Sequence, residues 1–347
     1  MHDPRNFRKN RKLNLNMDKI VDVVNKFSGK RIGIVGDLML DRYLFAEVRR
    51  ISQEAPVPVA KVTGEKYVLG GAANVAANVA SLGGAAEVFG LVGDDAKGEL
   101  MIKILSEQGI ECGLSFISSR PTTVKTRLIS GNQQIVRVDR EEDHNISQME
   151  EERIIKRMPA FLEKVDVVVI SDYAKGLVTE NVAKEIIHLA AERGMKVLSD
   201  PVPETFHKFK NSYLIKPNKG EAEFIAGVKF KKDYSNISEV MGILREKLDS
   251  NFVITLGGDG MAVSEGKEVS MVPTVAREVY DVSGAGDTVI ATLALGFAAG
   301  GDLKTSCLIS NYCAGIVVGK IGTSTASSLE LIESINKNGV IDYAKAY

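Results

Sequence analysis

The segment DVSGAGDT, residues 281–288, places a turn of small residues directly before an acid and an apolar run. Gly284, Ala285 and Gly286 leave their backbone amides unobstructed at the start of a predicted helix, and such a helix start binds anions. A bound phosphate repels a neighbouring carboxylate, so Asp287 makes better chemical sense as a base that faces an attacking hydroxyl. The alternative is a glycine-rich turn in which Asp287 only complements the helix dipole. The pattern favours phosphoryl transfer to a hydroxyl.

Polar residues and glycines also stand where several predicted strands end. They are Asp37, Asp172, Asp200, Asn218 and the pair Gly257-Gly258. In open α/β sheets, ligands bind beyond the carboxyl ends of the strands. Any single aspartate of this set could instead cap a helix. Their accumulation at one edge of a sheet favours a binding site.

Strands and helices are predicted to alternate along most of the chain. Short apolar runs predict strands at 31–37, 86–93, 165–172, 195–201, 212–218 and 252–258. Amphipathic or small-residue stretches predict helices at 70–84, 96–108, 179–194, 288–299 and 303–319. This alternation predicts an α/β fold with a central, mostly parallel sheet.

Two segments interrupt this alternation early in the chain. Residues 43–69 and 121–139 alternate polar and apolar side chains without a helical pattern. The second segment carries a hairpin signal, Ser130-Gly131-Asn132, between two strand-like runs. We expect these segments to form a small separate sheet laid over the main one.

The composition argues against several classes of protein. The chain of 347 residues has a formal net charge of -1, which gives no bulk field for nucleic acid or a membrane surface. Its three cysteines are too few and too scattered for a disulfide framework, which fits a reducing cytoplasm. The longest apolar stretches fall well short of the ~20 residues of a membrane span.

Two further segments have unremarkable interpretations. Residues 1–16 hold five Lys or Arg and one Asp, which predicts a disordered basic tail. An arm that contacts an acidic partner is the alternative. The segment from Gly315 to Lys320 is similar to a P-loop, but it is one residue short and lacks the Ser or Thr after the lysine. We interpret it as helix packing with a cation at the helix end.

Taken together, the motifs resemble the PfkB/ribokinase family of sugar kinases. DVSGAGD is similar to the second family signature, GGAANVAANVASLGG (70–84) to the first, KPNKGEAE (216–223) to the Asn-x-x-Glu motif, and TLGGDG (255–260) to the nucleotide loop. The resemblance covers about residues 30–335, in the family's order. It implies a ribokinase-like three-layer α/β/α kinase domain over 17–347. It also implies that 43–69 and 121–139 form a β lid over the sugar site. Such lids commonly pair in this family, which implies a homodimer and protects the open edges of the small sheet.

The resemblance also implies roles for individual residues. Asp287 would accept the proton of the sugar hydroxyl, while the amides of 284–286 stabilise the transferring phosphoryl group. Sugar contacts are implied for Asp37, Asp41, Gly70, Gly71, Asn74 and Asp172. Contacts with ATP are implied for Asn218, Lys219, Gly220, Glu221, Thr255, Gly257, Gly258, Gly260 and Asn311. Asn218 and Glu221 would lie nearest Mg²⁺, although Glu221 could simply complement the dipole of its helix. A monovalent cation near Asp281 is a further family-level expectation.

Further segments are similar to one subgroup of the family, the kinases of D-glycero-β-D-manno-heptose 7-phosphate. They are GDLMLDRY (36–43), RISQEAPVPV (50–59), TVKTRLISGNQQIVRVDRE (123–141), SDYAKG (171–176) and KIGTSTAS (320–327). The chain departs from this pattern at Ala174, where glycine is expected, and at Val282 and Ser283, where threonines are common. Many members carry a cytidylyltransferase-like domain after the kinase. Because the sequence ends at Tyr347, the resemblance implies a kinase without that domain.

A 7-phosphate must be held at the far end of the sugar from the attacking C1 hydroxyl, which requires cations on or near the lid. The candidates are Arg42, Lys125, Arg127, Arg137 and Lys175. Lys125 and Arg127 are two apart on a predicted strand and share one face. The alternative is a solvated strand face. Two other functions stay open: a different PfkB-type kinase of a sugar, sugar phosphate or nucleoside, and a non-catalytic regulator that binds sugar phosphate.

Overall fold

The computed structural model describes residues 17–347 except 113–115, 119, 132, 277–278, 321, 340–343 and 346–347. The predicted basic tail (1–16) and Asn132 of the predicted hairpin turn therefore lie outside the described residues.

Strands and helices alternate along the chain. The strands are β1 (Arg31–Gly36), β2 (Leu38–Ile51), β3 (Pro58–Gly71), β4 (Ala85–Phe89), β5 (Leu91–Gly93), β6 (Phe116–Ser118), β7 (Thr123–Ser130), β8 (Gln133–Arg140), β9 (Val167–Asp172), β10 (Lys196–Pro201), β11 (Leu214–Ile215), β12 (Asn251–Thr255), β13 (Met261–Glu265), β14 (Glu268–Val272) and β15 (Ala344–Lys345). The helices are α1 (Met17–Asn25), α2 (Ala72–Ser81), α3 (Ala96–Glu107), α4 (Gln148–Leu162), α5 (Glu180–Glu192), α6 (Lys219–Ala226), α7 (Ile237–Leu248), α8 (Ala285–Ala298), α9 (Leu303–Val317) and α10 (Ser328–Asn338).

The main sheet has nine strands in the order β15-β14-β13-β12-β11-β10-β9-β1-β4. The six strands from β12 to β4 are parallel, and β13, β14 and β15 continue the sheet in antiparallel pairing. The carboxyl ends of the parallel strands therefore lie at one edge, as the sequence predicted. Asp172 at the end of β9, Asp200 near the end of β10 and Asn218 after β11 lie at that edge.

Helices cover both faces of this sheet, because its central strands are apolar on both sides. Ile32 and Ile34 of β1 belong to one buried cluster with α1, α2, α3, α8, α9 and α10. Val35 belongs to a second buried cluster with α4, α5, α6 and α7. This is the predicted three-layer α/β/α arrangement. Within the described part of the chain, no helix is long and apolar enough to cross a membrane.

A separate four-stranded sheet has the order β3-β2-β7-β8. β2 pairs with β3 and β7 with β8 in antiparallel ladders, and the parallel pair β2–β7 joins the two hairpins. The predicted strands on either side of Gly131 are confirmed as β7 and β8. We call this sheet the lid.

The main differences between the element bounds and the sequence prediction concern the lid, α2 and two strands of the main sheet. The lid begins at Leu38 rather than residue 43, and β3 continues through Gly70 and Gly71, so α2 starts only at Ala72. The strand predicted over 212–218 is limited to the two residues of β11. The strand predicted over 86–93 is two strands, β4 and β5, in different sheets. The strand is interrupted at Gly90, where a Cβ would lie 2.3 Å from the Leu38 side chain.

Candidate active site

Asp287 lies in the first turn of α8, at the polar edge of the main sheet. α8 is buried from Asp287 to Phe297, so the helix runs through the core and presents its start to this edge. Gly284 precedes the helix with a φ of 78°, and a Cβ there would lie 2.8 Å from Asn74 Nδ2. Only glycine combines this left-handed backbone with so close a neighbour. The sequence therefore opens the helix start toward a ligand, as expected for 284–286.

Two side-chain donors hold the Asp287 carboxylate. Asn74 Nδ2 donates to Oδ2 at 2.7 Å, and the Tyr173 hydroxyl donates to Oδ1 at 2.9 Å. Asp287 is only 5% exposed. Burial raises its pKa, while the two hydrogen bonds and the charge of Lys216 oppose that rise. Asp287 is thus a buried carboxylate held in one orientation, as a general base requires.

A buried ion pair lies beside the start of α8. Lys216 Nζ is 3.0 Å from Asp200 Oδ1, and Nζ is 3.3 Å from the position of a Cβ built on Gly286. Burial raises the pKa of Asp200 to about 6, against the attraction of Lys216. Burial alone would lower the pKa of Lys216, but Asp200 and Glu221 raise it above its ordinary value. A protonated lysine therefore sits next to the open amides of the helix start.

A cavity of about 660 Å³ opens over this edge of the sheet. That volume lies within the usual range of small-molecule sites, about 300–1,000 Å³. Residues proposed from the sequence line it, namely Asp172, Asn218, Lys219, Glu221, Thr255, Gly257, Gly258, Gly260, Gly284, Ala285, Gly286, Asp287 and Asn311. Asp200, which the sequence placed at the polar edge of the sheet, lines it as well, and so do Tyr173 and Lys216, which the sequence did not single out. The glycines of the 255–260 loop and the start of α8 thus face one space, which fits a nucleotide.

Asn218 and Glu221 form a reciprocal capping box at the start of α6. Asn218 Oδ1 accepts from the Glu221 amide at 3.0 Å, and Glu221 Oε2 accepts from the Asn218 amide at 2.7 Å. The helix-start role considered for Glu221 is therefore present. Burial raises the pKa of Glu221. Carboxylate and amide oxygens suit Mg²⁺, which keeps several water or phosphate ligands, so the pair fits a metal that arrives with a nucleotide.

The rim of the cavity is fixed by further contacts. Asn311 Nδ2 donates to the Pro273 carbonyl at 2.7 Å. Lys219 Nζ donates to the Tyr234 hydroxyl at 3.1 Å, and that hydroxyl donates to Asp259 at 2.7 Å. Gly220 is an exposed residue of the first turn of α6. These contacts tie the 255–260 loop to the start of α6.

One face of the lid turns toward Asp287. Asp41 and Arg127 form an ion pair, and the Tyr43 and Thr323 hydroxyls share a hydrogen bond of 3.1 Å. Lys125 Nζ lies 5.8 Å from the centre of the Tyr173 ring. We call this the inner face of the lid. Lys125 and Arg127 share it, as their spacing predicted.

Strand register adds two more cations to the inner face. Tyr43 is paired with Lys66 of β3 and Arg127 of β7, and Arg127 is paired with Arg137 of β8. Directly opposed residues point to the same side of a sheet. Lys66, which the sequence did not single out, therefore shares a row with Arg127 and Arg137. Arg137 also pairs with Asp139 at 3.0 Å.

The structure does not bring Arg42 to this face. Arg42 is adjacent to Asp41 in a strand and so points to the opposite, outer face. There it pairs with Glu65 at 2.8 Å and lies 5.6 Å from the centre of the Tyr67 ring. Its inclusion among the phosphate-binding cations is therefore corrected.

Three other predicted site residues build the turn that follows β9. Asp37 Oδ2 accepts from the amides of Tyr173 at 2.8 Å and Lys175 at 3.0 Å. Asp172 accepts from the Ala174 amide at 2.9 Å and pairs with Lys208 at 3.4 Å. Lys175 Nζ pairs with Glu141 at 2.8 Å.

Gly70 and Gly71 are buried where β3 meets α2, beside Asp41 and Asp37 respectively. The Asp281 carboxylate accepts from the backbone amides of Ser283 at 2.9 Å and Gly322 at 3.1 Å. It thereby joins the loop before α8 to the segment after α9, where a monovalent cation was expected.

Comparison with known proteins identifies the family. The sequence model of the pfkB family carbohydrate kinases matches residues 30–330. The chain belongs to this family. It is therefore a phosphotransferase whose acceptor is a sugar hydroxyl, and the resemblance drawn from the motifs is confirmed.

Relatives and solved structures agree with this assignment. The chain is 42% identical over 310 residues to the bifunctional protein HldE of Shewanella sp. (strain ANA-3) and of Shewanella baltica (strain OS185). The matched region covers 89% of this chain and 64% of those relatives, so the chain spans less than two thirds of their length. Phosphofructokinase-2 from Escherichia coli superimposes with a TM-score of 0.75 at 16% identity, covering 89% of this chain and 99% of that one. Arabidopsis thaliana ribokinase gives 0.70 at 18% identity, covering 88% and 98%. These structures show the shared fold.

Proposed function

We propose that this chain transfers the γ-phosphoryl group of ATP to the C1 hydroxyl of D-glycero-β-D-manno-heptose 7-phosphate. The products are ADP and heptose 1,7-bisphosphate, leading toward ADP-heptose for lipopolysaccharide core or other surface glycans. The observation that carries the proposal is the place of Asp287. It is a buried, oriented carboxylate between a nucleotide-sized cavity and a cationic lid face.

The proposed chemistry uses residues at the start of α8. The C1 oxygen forms a bond to the γ-phosphorus while the bond to the β,γ-bridging oxygen breaks, and the hydroxyl proton passes to Asp287. Charge on the transferring group would be stabilised by the amides of 284–286 and by Lys216. Mg²⁺ held at Asn218 and Glu221, directly or through water, would neutralise charge on the phosphates. The Asp200 partner keeps Lys216 charged and aimed at the helix start.

Support for a phosphorylated sugar comes from the inner face of the lid. Four cations lie there, Lys125, Arg127, Arg137 and Lys66, and two of them are paired with the carboxylates of Asp41 and Asp139. Arginine forks match phosphate geometry, and each charge-assisted hydrogen bond is worth about 1.5–3 kcal/mol. Closure of the lid on both groups would exclude water from the transfer.

We also propose that two copies join through their lids. The outer face carries exposed Val136 and Val138 on β8, next to Leu128 on β7. β3 and β8 are open edges of the lid, which pairing would protect. Val138→Glu should convert a dimer into a monomer in sedimentation velocity, since it places a charge in the apolar contact. A wild-type monomer would contradict this part of the proposal.

The proposed compartment is the cytoplasm. No disulfide joins Cys112, Cys307 and Cys313, and the last two are buried in α9. Cysteines that form no disulfide are typical of a reducing compartment.

A substrate panel tests the proposal. ADP release from Mg-ATP is measured with heptose 7-phosphate, unphosphorylated heptose, fructose 6-phosphate, ribose and a nucleoside. We expect turnover with heptose 7-phosphate to exceed the others strongly. Preference for another compound would identify a different pfkB-type kinase, and sugar binding without ADP release would identify a non-catalytic regulator.

A further inference from the structure

The Tyr173 hydroxyl donates a hydrogen bond to Asp287, the proposed base, at the position where the hydroxyl of the acceptor sugar must bind. Asp287 Oδ2 accepts a hydrogen bond from Asn74, and Oδ1 accepts one from Tyr173. Asp287 is 5% exposed. A base that takes a proton from a sugar hydroxyl must accept a hydrogen bond from that hydroxyl. A carboxylate oxygen can accept two hydrogen bonds, but Asp287 is buried against both donors, so we expect the sugar hydroxyl to take the place of the Tyr173 donor on Oδ1.

Tyr173 is built to remain a donor in this position. Burial and the charge of Asp287 raise its pKa well above the ordinary value, so the phenol keeps its proton. A buried carboxylate oxygen without a donor is costly. In the absence of sugar, the phenol therefore supplies a donor to Asp287 Oδ1.

The backbone that carries Tyr173 is fixed, so only its side chain can move. The amides of Tyr173 and Lys175 donate to Asp37, and the amide of Ala174 donates to Asp172. Ala174 has a φ of 55°, a left-handed conformation that a residue with a Cβ adopts at a cost. Such strain persists where surrounding contacts over-determine it. The turn thus fixes the Tyr173 Cα and aims the ring at Asp287.

The ring also touches the lid. Lys125 Nζ lies 5.8 Å from the ring centre, and Lys125 is paired in register with Asp41. A rotation of the Tyr173 ring away from Asp287 would therefore change its contact with Lys125 on β7. The hydrogen bonding of Asp287 is thus linked to the strand of the lid that faces the sugar.

We propose that Tyr173 is a positioning residue that caps Asp287 until the sugar hydroxyl displaces it, and so prevents the base from activating water against ATP. This inference rests on Asp287 being the base of the proposed function. In the capped state no water is held by Asp287 Oδ1 beside the γ-phosphate. In the sugar-bound state the phenol has turned aside and has no part in the transfer.

The test is ATP hydrolysis without sugar. Tyr173→Phe keeps the ring but removes the donor. A water molecule can then donate a hydrogen bond to Asp287 Oδ1 in place of the phenol. We expect sugar-independent ADP release to rise roughly tenfold, the scale set by one hydrogen bond to a charged group. Sugar-dependent kcat should be retained, and KM for the sugar should fall because its competitor is gone.

Two further variants make the result specific. The double variant Tyr173→Phe, Asp287→Asn should lose the added hydrolysis, since it depends on the base. Tyr67→Phe removes a tyrosine hydroxyl from the outer face of the lid, where it contacts Lys97 at 2.6 Å, and should leave hydrolysis unchanged.

Three results would overturn the inference: sugar-free hydrolysis at or below the wild-type rate, added hydrolysis that survives Asp287→Asn, or loss of sugar-dependent turnover in Tyr173→Phe. A wild type without sugar-dependent turnover on the panel would instead contradict the proposed function, and that result is read from a separate measurement.

Discussion

Asn74 Nδ2 lies 2.7 Å from Asp287 Oδ2, although 213 residues separate the two in sequence. The next residue of α8, Thr288, donates its hydroxyl to Asn78 Oδ1 at 2.8 Å, and Asn78 lies one turn beyond Asn74 in α2. Asn78 Nδ2 in turn donates to the Asn74 carbonyl at 2.9 Å. These buried bonds align the starts of α2 and α8, so the two glycine-rich motifs of the sequence form one site. The carboxylate is held by a network rather than by its own helix alone.

Glu221→Gln separates metal binding from helix capping. Glutamine can keep the capping box with Asn218, so thermal stability should change little, while loss of one negative charge should raise the Mg²⁺ concentration for half-maximal rate. Titration of ADP release against Mg²⁺ measures this. The matched control is Glu150→Gln in the capping box of α4 with Ser147, which should leave the Mg²⁺ dependence unchanged. Equal Mg²⁺ dependence in wild type and Glu221→Gln would show that Glu221 serves the helix alone.

Ala174→Gly should stabilise the protein. Glycine adopts the φ of 55° without the Cβ penalty, which outweighs its greater unfolded-state entropy by about 0.5–1 kcal/mol. Urea denaturation measures the free energy of unfolding. Ala183→Gly in the interior of α5 is the control and should destabilise by a similar amount. A loss of stability in Ala174→Gly would mean that the left-handed conformation is not the one adopted in solution.

The acid side of the pH–rate profile should reflect a base with a raised pKa. Asp287 must be ionised to accept a proton, and burial raises its pKa above the ordinary 3.8. Lys216, Asp41, Asp200 and Tyr173 are the charged or titratable groups around it. We expect kcat/KM to fall on acidification while the pH is still well above 3.8. Protonation of Asp200, whose pKa is about 6, should add to that fall. A profile flat down to pH 4 would contradict this environment.

The inner lid cations should affect the sugar phosphate and not ATP. Lys66→Ala, Lys125→Ala and Arg137→Ala should each raise KM for heptose 7-phosphate roughly ten- to hundredfold, the range of a charge-assisted hydrogen bond. KM for ATP should stay the same. Arg42→Ala is the control, because Arg42 lies on the outer face with Glu65. Equal effects of Arg42→Ala and the inner-face variants would remove the lid as the phosphate site.

The sequence predicted those parts of the site that depend on local pattern. The strand ends and the small residues before Asp287 can be recognised in a few residues, because period and turn chemistry are local. The sequence grouped Arg42 with Arg127 because it does not show which side of the sheet each residue points to. That depends on the register in which β2 pairs with β7. A shift of one residue in that register would exchange the two faces.

Tyr173, Lys216 and Lys66 were missed for related reasons. The orientation of the Tyr173 side chain depends on the left-handed backbone of Ala174. An alanine in the sequence does not predict that conformation. Lys216 follows a strand of only two residues, too short for alternation to show which side chains point inward. Lys66 gains its meaning from pairing with Tyr43 across the lid. Each depends on contacts distant in sequence.

Asp287→Asn, assayed by ³¹P NMR with Mg-ATP and heptose 7-phosphate, tests the central claim most directly. The wild type should produce ADP and a second sugar phosphorus signal at C1. The variant should bind ATP and fold normally, because the change is nearly isosteric, yet lose ~10²–10⁴-fold or more in rate. Asp302→Asn, at the cap of α9, should match the wild type. Turnover of Asp287→Asn within tenfold of the wild type, or a new phosphate at another carbon, would contradict the account.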